Sequence, residues 1–279
     1  MVLALISNLP KHLTSYDVLK SLAVVLMVVD HLGYFFVPDE SWFRVIGRLS
    51  VPIWFYLIGY ADRRFVQTSI WVGAAIVALS AIVSGEYFLP ANILISLAIA
   101  RLWIDRLMVG GLQSYEAFAG LFFLLFFLSF PTMLFFEYGA MGMMFTVLGF
   151  LRRHKEGLEI NAFAMFGFVA AITIFYIVIS GLLIPQLSMA QFLFLITAMI
   201  ALVGLLMVFE GREFEAVTNK LGAVALPLMF MGRHTLMIYV VHLLVFRVFS
   251  VLSSDERFGF FAFEIMPPAF AQIIQNFIG

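Results

Sequence analysis

Apolar residues occur in long runs along the chain, separated by short polar stretches that carry glycine or proline. A helix needs roughly 20 such residues to cross a bilayer. The runs predict helices at about 16–37, 47–59, 67–84, 90–107, 115–136, 138–151, 162–184, 189–209 and 235–252. The pattern therefore predicts an all-α fold, a polytopic membrane helix bundle of about nine transmembrane helices, with eight and ten as the bounds.

Two of these regions depart from a simple span. The run at 138–151 is too short to cross unaided, which indicates tilt, local bilayer thinning or a partly buried half-helix. The apolar stretch at 221–252 is too long for one perpendicular helix, and Gly232, Arg233 and His234 divide it. We predict a single domain over 1–279 with its core at 16–252. The tail at 253–279 is either an interfacial amphipathic segment or a broken further helix.

Composition strengthens the membrane interpretation and removes several chemistries. The chain has 279 residues, of which 63% are hydrophobic and 12% charged, so any reaction must take place within or at the edge of the membrane. No cysteine is present, which excludes disulfides and thiolate chemistry. We expect no metal site, since zinc-binding His-Glu-x-x-His and paired magnesium-binding aspartates are absent. The net charge of −1 argues against a nucleic-acid partner.

Basic residues collect in alternate loops, which predicts the orientation. They follow the second, fourth, sixth and eighth runs, as Arg63 and Arg64, Arg106, Arg152 with Arg153 and Lys155, and Arg212 with Lys220. The intervening loops around 84–86, 137 and 181–186 contain no lysine or arginine. By the positive-inside rule, the amino terminus and the basic loops are cytoplasmic.

The first apolar run contains an adjacent acid and imidazole, Asp30 and His31. Ionisable groups at membrane depth cost about 2.5–3.5 kcal/mol each, so they usually face a bundle interior and serve a function. The alternative is a structural pair that caps the helix end. On a 3.6-residue repeat His31 shares a face with Lys20, whereas Asp30 points about 100° away.

Further polar groups belong to the same predicted level of the membrane. Arg48 begins the second run one loop after His31, and interfacial snorkelling is the alternative explanation for it. Tyr239 and His242 share a stripe of the last helix, as an inward-facing polar site or as a satisfied core histidine. Imidazoles beside a carboxylate and a guanidinium suit general-base activation of an amine or hydroxyl in acyl transfer. A proton-coupled transporter uses the same groups as a relay.

Several stretches resemble a known family. Residues 16–33 (YDVLKSLAVVLMVVDHLG) and 46–52 (IGRLSVP) are similar to the opening of the TraX family, membrane acetyltransferases associated with conjugative pili. Residues 92–94 and 137–142 resemble the family's middle stretches. Residues 231–242 (MGRHTLMIYVVH) resemble its closing motif, which recurs in the wider acyltransferase type 3 group.

The resemblance implies an integral acyltransferase domain in the bacterial inner membrane. It implies that an acetyl group passes from acetyl-CoA to the amino terminus of a pilin subunit. Under it, His31 is the general base, Asp30 its orienting neighbour or a partner of Arg48, and Arg48 the oxyanion donor. Other candidate residues are Glu137, Tyr138, Asn92, His242 and Tyr239 for substrate, and Arg152, Arg153, Lys155 and Arg233 for the coenzyme phosphates.

Two alternatives remain open at this stage. The acceptor is a glycan or lipid hydroxyl instead of an amine, or the protein is a small-molecule or proton-linked transporter. Partners other than membrane lipid and the acceptor are not indicated, and the oligomeric state is left open.

Overall fold

The computed structural model describes residues 11–157, 161–184, 186–253, 257–262 and 264–268. This part of the chain is helical and contains no β-strand, which confirms the predicted all-α class. The first helices are α1 (Ser15–Phe36), α2 (Ser41–Gly47), α3 (Ser50–Tyr60), α4 (Thr68–Ser84), α5 (Ile93–Gly111) and α6 (Tyr115–Thr132). They are followed by α7 (Gly139–Arg153), α8 (Ala162–Leu183), α9 (Met189–Val208), α10 (Glu215–Leu221), α11 (Ala225–Arg233) and α12 (Thr235–Leu252).

Five of these helices, α1, α6, α8, α9 and α12, are long and apolar enough to cross a membrane. Their outward faces carry exposed apolar side chains such as Phe127, Phe163 and Leu182, which suit contact with lipid. The protein is therefore a multi-pass helical membrane bundle. The predicted second run corresponds to α3, and the link predicted before it forms a further short helix, α2, which Arg48 and Leu49 separate from α3.

The shortest apolar helices form the centre of the bundle. Almost every residue of α3 is buried, as are most residues of α7. A Cβ added at Gly59 would lie 1.8 Å from the Thr146 carbonyl oxygen, and one at Gly149 would lie 2.0 Å from the Tyr56 carbonyl oxygen. The two backbones therefore touch, as small residues allow between membrane helices. The 15-residue α7 is thus packed among other helices along its length.

The basic loops meet at one end of the bundle, here called the basic end. Ion pairs join Arg64 to Asp105 and Arg153 to Asp62, which ties the ends of α3, α5 and α7 together. The same end holds the start of α1, where Thr14 and Asp17 form a reciprocal N-terminal cap. Arg233 donates to both carboxylate oxygens of Asp17, at 3.3 and 3.2 Å.

A short segment of the tail, residues 257–262 with 264 and 265, covers the opposite end of α1 and is here called the strap. Arg257 donates to the carbonyls of Tyr34 and Phe35, each at 2.8 Å, in the last turn of α1. The strap also pairs through backbone bonds with the connection after α4, for example from Leu89 N–H to the Ile265 carbonyl. Most of the tail at 253–279 lies outside the described residues, and with it the predicted interfacial or broken helix.

Candidate active site

A cavity of about 1280 Å³ lies inside the bundle between α1, α3, α4, α5 and α12. Along α1 its wall extends from Tyr16 to Phe35, which is about 28 Å at the helical rise of 1.5 Å per residue. Pockets for single small ligands usually measure about 300–1,000 Å³. The cavity therefore has room for a long ligand. We call its two ends the Lys20 end and the Asp30 end.

His31 lines this cavity and is bonded to a second histidine behind it. Its Nδ1 atom lies 2.8 Å from Nε2 of His242, which comes from α12. The Nδ1 atom of His242 lies 2.7 Å from the Ile238 carbonyl oxygen, which only accepts, so this nitrogen carries the proton. With both rings neutral, Nε2 of His242 accepts a hydrogen bond from Nδ1–H of His31. The lone pair of His31 is then on Nε2, the arrangement that a general base requires.

Asp30 forms an ion pair with an arginine and does not orient His31, its neighbour in the sequence. Arg44 of α2 pairs with its Oδ2 atom and also donates to its backbone carbonyl. Its Oδ1 atom is buried and has no hydrogen-bond partner within the part of the chain that the structure describes. The ring nitrogen of His31 is oriented by His242 and not by Asp30, and the ion pair of Asp30 is made with Arg44 and not with Arg48. Gly47 allows this contact, since a Cβ there would lie 2.2 Å from the Cβ of Asp30.

Arg48 enters the same end of the cavity from the break between α2 and α3. It donates to the hydroxyl of Tyr138, whose ring lies under the guanidinium. The Tyr176 hydroxyl donates to the carbonyl of Arg48 at 2.6 Å and fixes its backbone. The Nε atom of Arg48 is buried and has no partner among the described residues. A preorganised guanidinium with a spare donor suits a developing negative charge.

Glu137 and Asn92 also line the Asp30 end and are held by α5. The Ile93 N–H donates to Oε2 of Glu137 at 2.9 Å, so this carboxylate caps the positive end of the α5 dipole. The side-chain amide of Asn92 donates to the Ala74 carbonyl at 3.0 Å, which joins α5 to α4. Tyr239 is buried, and its ring centroid is 6.1 Å from that of His31. The structure thus brings the predicted catalytic and substrate residues to one region.

The four residues predicted to contact the coenzyme, Arg152, Arg153, Lys155 and Arg233, each form an ion pair with a carboxylate outside the cavity. Arg152 and Lys155 lie 3.5 and 3.7 Å from Glu210. A hydrogen bond from Arg212 holds the pKa of the Glu210 carboxyl below its usual range, so this partner stays ionised. Arg153 pairs with Asp62 and Arg233 with Asp17, as described above. None of the four is among the residues that line the cavity in the described structure.

Two other cations line the Lys20 end, and the sequence argument did not select them. Lys20 and Arg101 face the cavity, and no carboxylate lies within 4 Å of either in the described part of the chain. Arg101 makes a hydrogen bond of 3.4 Å to the Phe65 carbonyl. The sequence did contain a feature that points to Lys20 as a cavity residue, because Lys20 lies three helical turns before His31 on the same face of the helix.

A buried ion pair at the Asp30 end was also missed. Arg247 of α12 donates to both carboxylate oxygens of Glu86, at 2.6 and 3.2 Å, and both residues line the cavity. Arg247 also donates to the Val77 carbonyl at 2.8 Å, so it joins α12 to α4. The sequence feature that could have predicted this pair is Arg247 itself, a single arginine inside the last apolar run, since a charged residue at membrane depth usually has a partner.

Comparison with known proteins gives the family but no fold precedent. The TraX protein family matches residues 15–250, most of the chain. An uncharacterized protein of Rickettsia prowazekii (strain Madrid E) is 29% identical over 173 residues, which cover 60% of this chain and 68% of that protein. No solved structure matches the chain significantly. The pair of His31 and His242, here called the dyad, lies within the matched residues together with Arg48 and the residues that line the cavity, and the chain belongs to the TraX family.

Proposed function

We propose that the protein is a membrane acetyltransferase that moves an acetyl group from acetyl-CoA to the amino terminus of a pilin subunit. The observation that carries the proposal is the hydrogen-bonded chain from the Ile238 carbonyl through His242 to His31, at the wall of a cavity with room for a long co-substrate. We infer the acceptor, the amino terminus of a pilin subunit, from the family's association with conjugative pili.

The residues at the Asp30 end divide the work of acyl transfer. His31 Nε2 takes a proton from the acceptor amine as its nitrogen bonds to the acetyl carbon. His31 then returns this proton to the sulfur as the carbon–sulfur bond breaks. The Nε–H of Arg48 donates to the acetyl oxygen, where negative charge develops. His242 keeps the proton of His31 on Nδ1 throughout, which leaves Nε2 available at each turnover.

Lys20 and Arg101 are the residues that fit the co-substrate's phosphates. Acetyl-CoA supplies the acetyl thioester and, at the other end of a long arm, several phosphate groups. The distance along α1 from Lys20 to His31 is about 16 Å, which suits such an extended ligand. We assign the phosphates to these two cations, because Arg152, Arg153, Lys155 and Arg233 already have carboxylate partners.

The proposed orientation places the basic end in the cytoplasm and the Asp30 end toward the outer face of the inner membrane. Acetyl-CoA then enters from the compartment where it is made, and the acceptor amine enters from the other side. A cavity of this length also suits a transporter, and the two functions differ in their product. Solute uptake without acetylated product would favour transport.

The test is the mass of a peptide that carries the pilin amino terminus, incubated with acetyl-CoA and the purified protein in lipid nanodiscs. We expect a gain of one acetyl group with the wild type and none above background with His31→Ala. His234→Ala is the matched control, because His234 has the same bond to a carbonyl one turn earlier but is exposed and off the cavity wall. An undiminished gain with His31→Ala would refute the assignment of the base.

A further inference from the structure

The strap joins two walls of the cavity at its Asp30 end. One wall is the last turn of α1, where Tyr34 and Phe35 line the cavity. The other wall is the connection between α4 and α5, which contributes Glu86, Tyr87, Leu89 and Pro90. The described residues of the strap do not line the cavity themselves. The strap therefore covers the seam between the two walls from outside.

Arg257 and Phe258 fasten the strap to α1. The last carbonyls of a helix have no partner within it, and the Arg257 guanidinium occupies those of Tyr34 and Phe35. Its positive charge also lies at the negative end of the α1 dipole. Phe258 is buried, and its ring centroid is 5.5 Å from that of Phe35 and 6.3 Å from that of Tyr34. Phe258 thereby fixes the two aromatic side chains that close this wall.

Backbone hydrogen bonds fasten the strap to the other wall. The Gly259 N–H donates to the Ser84 carbonyl and the Phe261 N–H to the Val83 carbonyl, both at 3.1 Å. Gly85 allows this close approach, since a Cβ there would lie 2.6 Å from the Gly259 carbonyl oxygen. Single bonds of this kind contribute little net stability, so this fastening is one that can open.

The connection after α4 is held in place without the strap. Both carboxylate oxygens of Glu86 accept from Arg247 of α12, and Oε1 also accepts from the Ser84 hydroxyl at 2.9 Å. Arg247 and the Glu86 side chain are nearly inaccessible to solvent, at 8% and 11% exposure. The wall therefore stays when the strap leaves, and the strap is the part that can move.

One residue of the strap is strained in the bonded position. Phe261 has a φ of 58°, in the left-handed region that bulky residues rarely adopt. Its side chain is exposed, so packing of the ring does not select this conformation. Strained residues of this kind occur at clamps and switch regions, where the surrounding contacts hold them. Release of the strap lets Phe261 relax.

We propose that the strap is a gate over the Asp30 end of the cavity, held closed by Arg257 and Phe258 and biased toward opening by the strain at Phe261. The gate goes beyond the proposed function, because it controls access to the cavity whatever ligand enters. Loops that close over an active site exclude water and open for substrate and product. In an acyltransferase, such a gate keeps water from the thioester until the acceptor enters.

The test measures how fast a cysteine inside the cavity reacts with a hydrophilic maleimide. Leu243→Cys supplies this cysteine in a chain that has no other, because Leu243 is buried and lines the cavity. The protein is held in lipid nanodiscs, and intact mass gives the rate. Adding Arg257→Ala should raise the rate about tenfold or more, since two hydrogen bonds from a charged group are lost. Adding Phe261→Gly should lower it about fivefold, since glycine adopts a positive φ without strain.

Each added substitution has a matched control that should leave the rate unchanged. Arg63→Ala removes an exposed arginine at the basic end. Phe260→Gly removes the neighbouring exposed phenylalanine, whose φ is not positive. Opposite effects of Arg257→Ala and Phe261→Gly cannot come from unfolding, because unfolding only raises the rate.

The remaining outcomes would each overturn the gate. An unchanged rate with Arg257→Ala would show that the strap does not control access. Equal rates for Phe261→Gly and Phe260→Gly would show that strain at Phe261 has no part in opening. No labelling in any variant would show that the cavity stays closed. Failure of the proposed function would appear as a peptide that gains no acetyl group, and it would leave these labelling rates unaffected.

Discussion

At the scale of single residues, the decisive feature is that one histidine sets the proton position of another. The Ile238 carbonyl fixes His242, and His242 fixes His31. A carboxylate in the place of His242 would favour a charged imidazole, whereas a neutral ring fixes the tautomer without adding charge to the apolar interior. His242 is therefore a positioning residue, because it touches the base and does not line the cavity.

Replacing His242 tests this role. In His242→Ala the Nδ1–H of His31 loses its acceptor, so the ring is free to turn or to exchange tautomers, and we expect kcat to fall about 100-fold, within the usual contribution of a general base. In His242→Gln the side-chain oxygen accepts the same bond, and much of the rate should return. The measurement is kcat and the KM for acetyl-CoA of both variants. A structural role predicts equal losses in the two, which would contradict the assignment.

Lys20 and Arg101, the two cations at the Lys20 end, give a second prediction. Lys20→Gln and Arg101→Gln should each raise the KM for acetyl-CoA by about 10–100-fold, because a hydrogen bond to a charged group contributes about 1.5–3 kcal/mol. Arg152→Gln, whose arginine is held by Glu210, is the matched control and should change it little. Steady-state kinetics with varied acetyl-CoA measures the effect. A larger KM change in the control than in either variant would show that the basic loops, and not Lys20 and Arg101, bind the phosphates.

At the scale of helices, the central pair α3 and α7 is what holds the site together. Arg48 lies two residues before α3, and Tyr138 directly precedes α7. The distance between these two helices therefore determines whether the guanidinium of Arg48 reaches the hydroxyl of Tyr138. Gly59 and Gly149, where the two backbones touch, lie toward the other end of these helices. They therefore influence the site by setting the distance between the helices.

Substitution of one contact glycine should expose this dependence. In Gly149→Ala the new methyl group would lie 2.0 Å from the Tyr56 carbonyl oxygen, and overpacking of this kind costs about 1–3 kcal/mol. We expect a lower thermal midpoint in detergent. Gly204→Ala is the matched control, because a Cβ there meets nothing within 4 Å, and its midpoint should stay the same or rise. Equal midpoints for the two variants would show that α3 and α7 can separate freely.

The sequence predicts helices well here, and contacts between distant helices poorly. The ends of α4, α8, α9 and α12 follow from apolar run lengths and from the glycine or polar residues that bound them. The shared face of Lys20 and His31 follows from helical periodicity alone. Periodicity is a local property, so it carries no information on the contact between His31 and His242, which are 211 positions apart. The choice of Arg44 over Arg48 by Asp30 likewise depends on the close approach at Gly47.

At the scale of the whole molecule, the charges separate into two sets. The ion pairs among the basic loops lie at one end, and the dyad, Arg48 and the pair of Arg247 with Glu86 lie at the other. The cavity extends between them along α1. This separation is what a reaction with substrates from two compartments requires.

The absence of cysteine makes the orientation directly measurable, since single cysteines can be introduced into an unreactive background. We predict that a membrane-impermeant maleimide labels Tyr87→Cys in intact spheroplasts, because Tyr87 is exposed at the Asp30 end. Arg63→Cys, at the exposed basic end, should be labelled only after the membrane is opened. The reverse pattern would invert the orientation and with it the side from which the acceptor arrives.

The length of the cavity also has an electrical consequence. If water fills it, a cavity that follows about 28 Å of α1 leaves only a short section of the roughly 30 Å hydrocarbon layer as insulator, so most of the membrane voltage falls across that section. Moving one charge through the full voltage is worth about 2.3 kcal/mol per 100 mV. In the proposed orientation, the inside-negative potential then draws a cationic acceptor from the outer side toward the Asp30 end. An acceptor that carries a positive charge would gain free energy from this field, whereas a neutral alcohol would gain none.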